Sequence, residues 1–192
     1  FVEMAQSALH AQVAPLRVLL LVYAFGAGIY AAFLPGKWVW FSWHPLMMMV
    51  GFVWLGGAAI LQKKLGGLEN TKLHGYLMGA AILASSFAWY VIYSNKEANQ
   101  KPHLTSWHSW IGMAALLGYP LLGLVGMVAL HPEMGVLRTN KTVRKVHKWL
   151  GRVTTASAWI ACVVGFINMQ KDLTTQVLFA GPLLAASYFV IL

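Results

Sequence analysis

The stretch 40-WFSWHPLMMMVGFVWLGGAAIL-61 is apolar almost throughout, interrupted by the polar side chains of Ser42 and His44. A helix needs about 20 consecutive apolar residues to cross the hydrocarbon core of a bilayer, so this segment reads as a membrane span with a histidine near its start. Comparable stretches lie at 13–34, 74–93, 108–130, 147–168 and 174–192. The composition agrees: 59% of the residues are hydrophobic and 10% are charged, which excludes an ordinary soluble domain. The expected fold is an all-α integral membrane protein with six transmembrane helices, forming a single domain over residues 1–192. The first span is too long for a signal-peptide core and no small-residue cleavage pattern follows it, so it is expected to be retained. Cys162 stands alone in an apolar segment, so an intramolecular disulfide is excluded and a thiolate-rich metal centre is not expected.

With six spans, the N-terminus, the 62–73 and 131–146 connections and the C-terminus fall on one side of the bilayer. That side carries Arg17, Lys63, Lys64, Lys72, Arg138, Lys141, Arg144, Lys145, Lys148 and Arg152, whereas the other carries Lys37, Lys96, Lys101 and Lys171. Ten basic residues against four assign the first side, with both termini, to the cytoplasm. Most of the formal charge of +9 is therefore cytoplasmic, suited to anionic lipid headgroups or a small anionic substrate. Nucleic acid is not an expected partner, because no soluble basic module is present to meet it.

Four of the seven histidines sit alike: His44 in FSWHP, His74 in KLHG, His108 in SWHSW and His147 in KVHKWLG, one near the start of each of helices 2 to 5. Ionisable residues at this depth are costly in lipid and call for a hydrogen-bond partner or a ligand role. Consecutive spans run antiparallel, so the four sort into two pairs. His44 and His108 belong near the non-cytoplasmic face, His74 and His147 near the cytoplasmic face. Two facing imidazoles suit a six-coordinate haem iron. Zinc would draw its ligands into one tetrahedron and would not divide them between two faces. Room for a flat macrocycle is expected beside Gly112, Gly151 and Gly75, while His44 is followed one turn on by Met48.

The other polar residues are read more plainly. His10 and His131 are expected at the interface, and Trp38, Trp40, Phe41, Trp43, Trp107 and Trp110 form an aromatic belt. Met47, Met48 and Met49 point in three helical directions and are expected to pack rather than ligate. His103, in the connection just before His108, is placed to approach an acceptor on the outer side. In RTNKTVRKVHKWLGR, residues 138–152, steps of three and four put Arg144, His147 and Gly151 on one helical face. Arg144 is thus expected below the inner pair, where a guanidinium meets a haem propionate or an anionic donor. Lys141, Lys145, Lys148 and Arg152 form a neighbouring stripe, and Lys72 lies just before His74.

The segments FSWHP, KLHG, PHLTSWHSW and KVHKWLG together resemble the eukaryotic cytochrome b561 family, in particular its short members without a DOMON domain. The resemblance runs from about residue 13 to 192 and rests on four histidines in register with four helices. It implies that helices 2 to 5 form a central four-helix bundle holding two non-covalent b haems, on His74 and His147 at the inner level and His44 and His108 at the outer. It further implies transmembrane one-electron transfer from cytosolic ascorbate to an acceptor across the membrane, monodehydroascorbate or a ferric chelate. In that reading Lys72, Arg144, Lys148 and Arg152 surround the ascorbate, and His103 serves the acceptor. Where many members carry a second lysine several residues before the third-helix histidine, this chain has Leu68 and Glu69. The family also implies an endomembrane or vesicle location and admits a homodimer. The competing reading is a haem-free histidine relay in a proton channel or transporter. A respiratory-type cytochrome b would place two ligands on each of two helices, against one per helix here.

Overall fold

The computed structural model describes the backbone of residues 2–191 and the side chains of residues 11–191, so the side chain of His10 lies outside the described residues. All regular structure among the described residues is helical: α1 (Val2–Phe33), α2 (Trp43–Met48), α3 (Gly56–Lys64), α4 (Leu68–Ala98), α5 (Trp107–Val128), α6 (Lys141–Met169) and α7 (Leu173–Val190). A short 3-10 turn, Trp40–Ser42, precedes α2, and a π-helical stretch, Met49–Leu55, joins α2 to α3. These segments run on as one span from Trp40 to Lys64, and the protein has six helices long and apolar enough to cross a membrane.

Several helix boundaries differ from the hydropathy reading for a local reason. α4 begins at Leu68 and α6 at Lys141, so His74 and His147 lie in the second turn of their helices rather than at the first residue. The polar lead-ins are good helix formers, and capping extends the helix past the apolar border. The Asn140 side chain accepts from Val143 N at 3.0 Å. Gly66 and Gly67, at φ +71° and +80°, reverse the chain ahead of α4 in a conformation that a Cβ would strain. α5 starts on a capping box between Ser106 and Ser109, and α7 on Asp172, whose carboxylate accepts from Thr175 N at 2.7 Å. Hydrogen bonds from Thr175 hold the Asp172 carboxyl below the usual carboxylate range.

The second span, α4, α5 and α6 close into a ring of four, with α1 and α7 packed outside it. Trp159 of α6 closes the ring by donating from Nε1 to the Phe52 carbonyl at 3.0 Å. The outward faces are apolar, with Leu83, Leu121 and Leu184 each at least 64% exposed, as suits lipid contact. Small residues set the closest helix approach. A Cβ built on Gly51 would lie 3.1 Å from both Ala81 O and Ser85 N of α4, so the two backbones meet there with no room for a side chain. Gly51→Val is therefore expected to cost about 1–3 kcal/mol through overpacking. The check is thermal unfolding in detergent, where the variant should melt below wild type.

Candidate functional site

His44 lies at the aromatic end of the bundle, in the first turn of α2, and is buried. Its Nδ1 lies 3.0 Å from the Ala88 carbonyl of α4. Since a carbonyl only accepts, Nδ1 carries the proton and donates, and Nε2 keeps its lone pair. His108 repeats the arrangement on α5, with Nδ1 2.9 Å from the Ala161 carbonyl of α6. The two rings face each other with centroids 6.1 Å apart and planes at 89°. That separation leaves room for a metal ion between the rings, which His44 and His108 would hold through Nε2. The outer pair thus has the separation and the tautomers of a two-imidazole clamp.

At the basic end, His74 of α4 donates from Nδ1 to the Ala59 carbonyl of α3 at 2.9 Å. His147 of α6 lies within electrostatic reach of His74, and its Nδ1 is buried without a hydrogen-bond partner among the described residues. A buried polar nitrogen left open is costly unless something binds the ring. Glycines make the space. A Cβ on Gly165 would come within 2.7 Å of the His108 ring, and one on Gly126 within 3.5 Å of His147 Cε1. The glycines read as clearance from the sequence do border open space: Gly75 and Gly151 have nothing within 4 Å of an added Cβ, and the nearest atom to Gly112 is Ala161 Cβ at 3.8 Å. Gly165 and Gly126 had a legible signal. Gly165 follows His147 on α6, and Gly126 follows His108 on α5, each by five whole turns of helix, and a whole number of turns returns a residue to the same face.

Between the two levels the core is aromatic. Tyr119 is 5% exposed and packs on Phe52 at 5.0 Å between ring centroids. Its hydroxyl faces Thr155 Oγ1 at 3.4 Å. On α5 the order is His108, then Tyr119, then Gly126, which faces His147. Tyr119 therefore lies between the two histidine levels, which helical rise puts about 27 Å apart along α5.

The expected basic residues divide into two groups. Arg144 lies within reach of Lys63, and Lys148 and Arg152 within reach of Lys64, so these five charges share the basic end. Lys63 also acts electrostatically on both His74 and His147. In the sequence it had counted only toward topology, because the chain reversal that turns it toward His74 has no periodic signature. Lys72 stands apart, with Nζ paired to Glu133 at 2.8 Å and to Glu69 at 3.7 Å. At the other end, His103 donates from Nε2 to Glu97 at 2.7 Å and stacks on Tyr93 at 4.9 Å. An open groove of about 520 Å³, lined by Thr105, Ser106, Trp107 and Trp110, lies close by in sequence. The belt residues Trp38, Trp40, Trp43, Trp107 and Trp110 are all exposed there.

A six-helix membrane bundle with a close pair of histidines at one end and a second pair within electrostatic reach at the other has the form of a multi-pass membrane haem protein. The profile of eukaryotic cytochrome b561 matches residues 43–171, and the chain belongs to that family. It is 28% identical over 132 residues to ascorbate-specific transmembrane electron transporter 1 of Zea mays, covering 67% of this chain and 56% of that protein. It is 28% identical to transporter 2 of the same plant over 84% of this chain and 70% of that one. A probable transmembrane ascorbate ferrireductase 4 of Arabidopsis thaliana is also 28% identical, over 81% of this chain and 67% of that protein. The chain thus spans a little over half to about two thirds of the lengths of these relatives. The family's haem b fits the residues present, given the free Nε2 positions, the ring separation and the glycine clearances. Gly165→Ala is expected to push the His108 ring aside and lower the haem bound per chain, measured as pyridine haemochrome. Gly181→Ala, whose Cβ would meet open space, should retain the wild-type value.

Proposed function

We propose that the protein carries single electrons across a membrane, from ascorbate at the basic, cytoplasmic face to monodehydroascorbate or a ferric chelate at the aromatic face. The observation that carries this reading is the set of Nδ1-to-carbonyl bonds at His44, His74 and His108, which place a proton on Nδ1 of three imidazoles and orient the rings so that Nε2 is the nitrogen left to ligate. His44 with His108, and His74 with His147, would hold two b haems. Haem b, when bound, supplies a one-electron couple that no side chain here offers.

The chain's own residues do the rest. The backbone carbonyls orient the imidazoles. The apolar walls exclude water from both levels, and Phe52 and Tyr119 fill the space between them with packed aromatic rings. Arg144, with Lys63 beside it, presents positive charge to a propionate or to the donor anion. Lys148, Arg152 and Lys72 would complete the ascorbate site. Ascorbate monoanion gives up one electron and one proton, and the proton leaves to water at this open face. His103, stacked on Tyr93, would serve the acceptor across the membrane. The excess of Lys and Arg supports cytoplasmic termini. An endomembrane location and a homodimer extend the same family reading. A haem-free proton relay fits less well, because imidazoles tied to helix carbonyls are not linked to one another in a chain.

The test is stopped-flow absorbance on haem-loaded protein in liposomes, with ascorbate added outside and a ferric chelate trapped inside. Ascorbate should reduce the low-spin spectrum, and ferrous chelate should then accumulate in the lumen. His74→Ala and His147→Ala should each abolish fast reduction by external ascorbate. His44→Ala and His108→Ala should leave partial haem reduction and stop delivery across the bilayer. Reduction in wild type with no lumenal ferrous product would sink the transfer reading.

A further inference from the structure

Lys72 lies at the basic end of α4, just before His74, yet its ammonium is already engaged by Glu133 at 2.8 Å. Glu133 comes from the connection between α5 and α6, and that connection is built to present it. His131 Nδ1 accepts from the backbone N–H groups of Glu133 and Met134, each at 3.3 Å. Arg138 donates to the Glu133 carbonyl at 2.8 Å, and Leu137 N donates to Ala129 O at 2.9 Å. The turn is tight enough to require glycine at position 135, where an added Cβ would meet Ala129 O and His131 O at 2.6 Å. The groups facing Glu133 are Lys72 and His131, and those facing Lys72 are Glu133 and Glu69. The ion pair holds the Glu133 carboxyl below the usual carboxylate range.

Two anions cannot both take one ammonium at close range without repelling each other. We propose that Glu133 sets the affinity of the donor site: its carboxylate occupies the cationic position of Lys72, and the donor anion must displace it to bind there. The inference rests on the donor reading above and deepens it, since a site whose lysine is pre-paired selects for a donor able to compete as an anion. The exchange requires little energy, because ion pairs open to water are weak. Glu69, 3.7 Å from the same Nζ, keeps Lys72 partly neutralised after Glu133 leaves, which favours a singly charged donor over a multiply charged one.

The experiment measures haem reduction by ascorbate over a concentration series in haem-loaded proteoliposomes, for wild type, Glu133→Gln, Glu133→Asp, Lys72→Ala and the double variant Lys72→Ala with Glu133→Gln. Glu133→Gln should lower the half-saturating ascorbate concentration roughly two- to fivefold, the range expected from an exposed ion pair, with the effect in half-saturation rather than in the limiting rate. Glu133→Asp should return the value toward wild type, and in the Lys72→Ala background the Gln substitution should have no effect. An unchanged or raised half-saturation in Glu133→Gln overturns the proposal. So does an equal drop in the Lys72→Ala background, which would reduce Glu133 to a general repulsive charge. Failure of ascorbate to reduce wild type at all would instead strike the donor reading itself, and would be seen before any variant is compared.

Discussion

Four imidazoles in an apolar bundle set the central physical constraint. Each brings two ring nitrogens in among packed helices, and an unsatisfied buried polar group costs more than a made hydrogen bond gains. The bundle answers by turning one nitrogen of His44, His74 and His108 onto a backbone carbonyl of the neighbouring helix. Helical carbonyls are ordinarily committed to their own ladder, but each has a second lone pair that an imidazole N–H can use. The helices must approach closely for this, so the contacts are lined with Gly and Ala, as at Gly51 against Ala81 and Ser85. Small-residue packing and histidine orientation are thus one requirement seen from two sides.

The same bonds show that the ring of four is two similar hairpins. In the first, His44 donates to Ala88 and His74 to Ala59. Each accepting carbonyl there lies about four turns beyond the histidine of its own span, Ala88 after His74 and Ala59 after His44. In the second, His108 donates to Ala161, which again lies about four turns beyond the other histidine, His147. By this spacing Gly123 corresponds to Ala59, yet His147 Nδ1 has no hydrogen-bond partner among the described residues. The halves therefore agree at the outer level and differ at the inner one, so the two histidine levels sit in unlike surroundings. Hydrogen bonding to the distal nitrogen raises ligand basicity, and unlike surroundings separate the properties of otherwise equivalent sites.

Much of this was legible in the sequence because it depends on two simple signals. Span length gave six helices, and antiparallel alternation sorted the histidines into two pairs, of which His44 and His108 lie with ring centroids 6.1 Å apart and His74 and His147 within electrostatic reach of each other. What was not legible depends on contacts between helices. The π-helical stretch Met49–Leu55 breaks the α-helical periodicity inside the second span, and it has no apolar signature separate from the α-helix around it. Gly165 and Gly126 clear the rings from the opposing helix; their spacing of five whole turns from His147 and His108 was readable, but which helix faces which ring was not. The starts of α4 and α6 lie beyond the apolar border because capping and helix propensity, not hydropathy, decide where a helix begins outside the bilayer.

Charge makes the remaining distinction between the two ends. At the basic end Lys63 lies close enough to Arg144, and Lys64 to Lys148 and Arg152, for like charges to repel, an arrangement whose electrostatic cost falls when an anion arrives. Lys72 is relieved in advance, by the carboxylate of Glu133. The aromatic end is built the other way, with exposed indoles and a His103 already satisfied by Glu97 and Tyr93. Under the proposed function an anionic donor would be drawn to the first surface by its excess of positive charge, a field screened within a Debye length of about 8 Å at physiological salt. The second surface carries fewer basic residues, so recognition there would lean on shape and stacking. The two faces thus differ in the kind of force available for binding, and under the proposed function this asymmetry adds to the unlike hydrogen bonding of the two histidine levels in giving the bundle a direction.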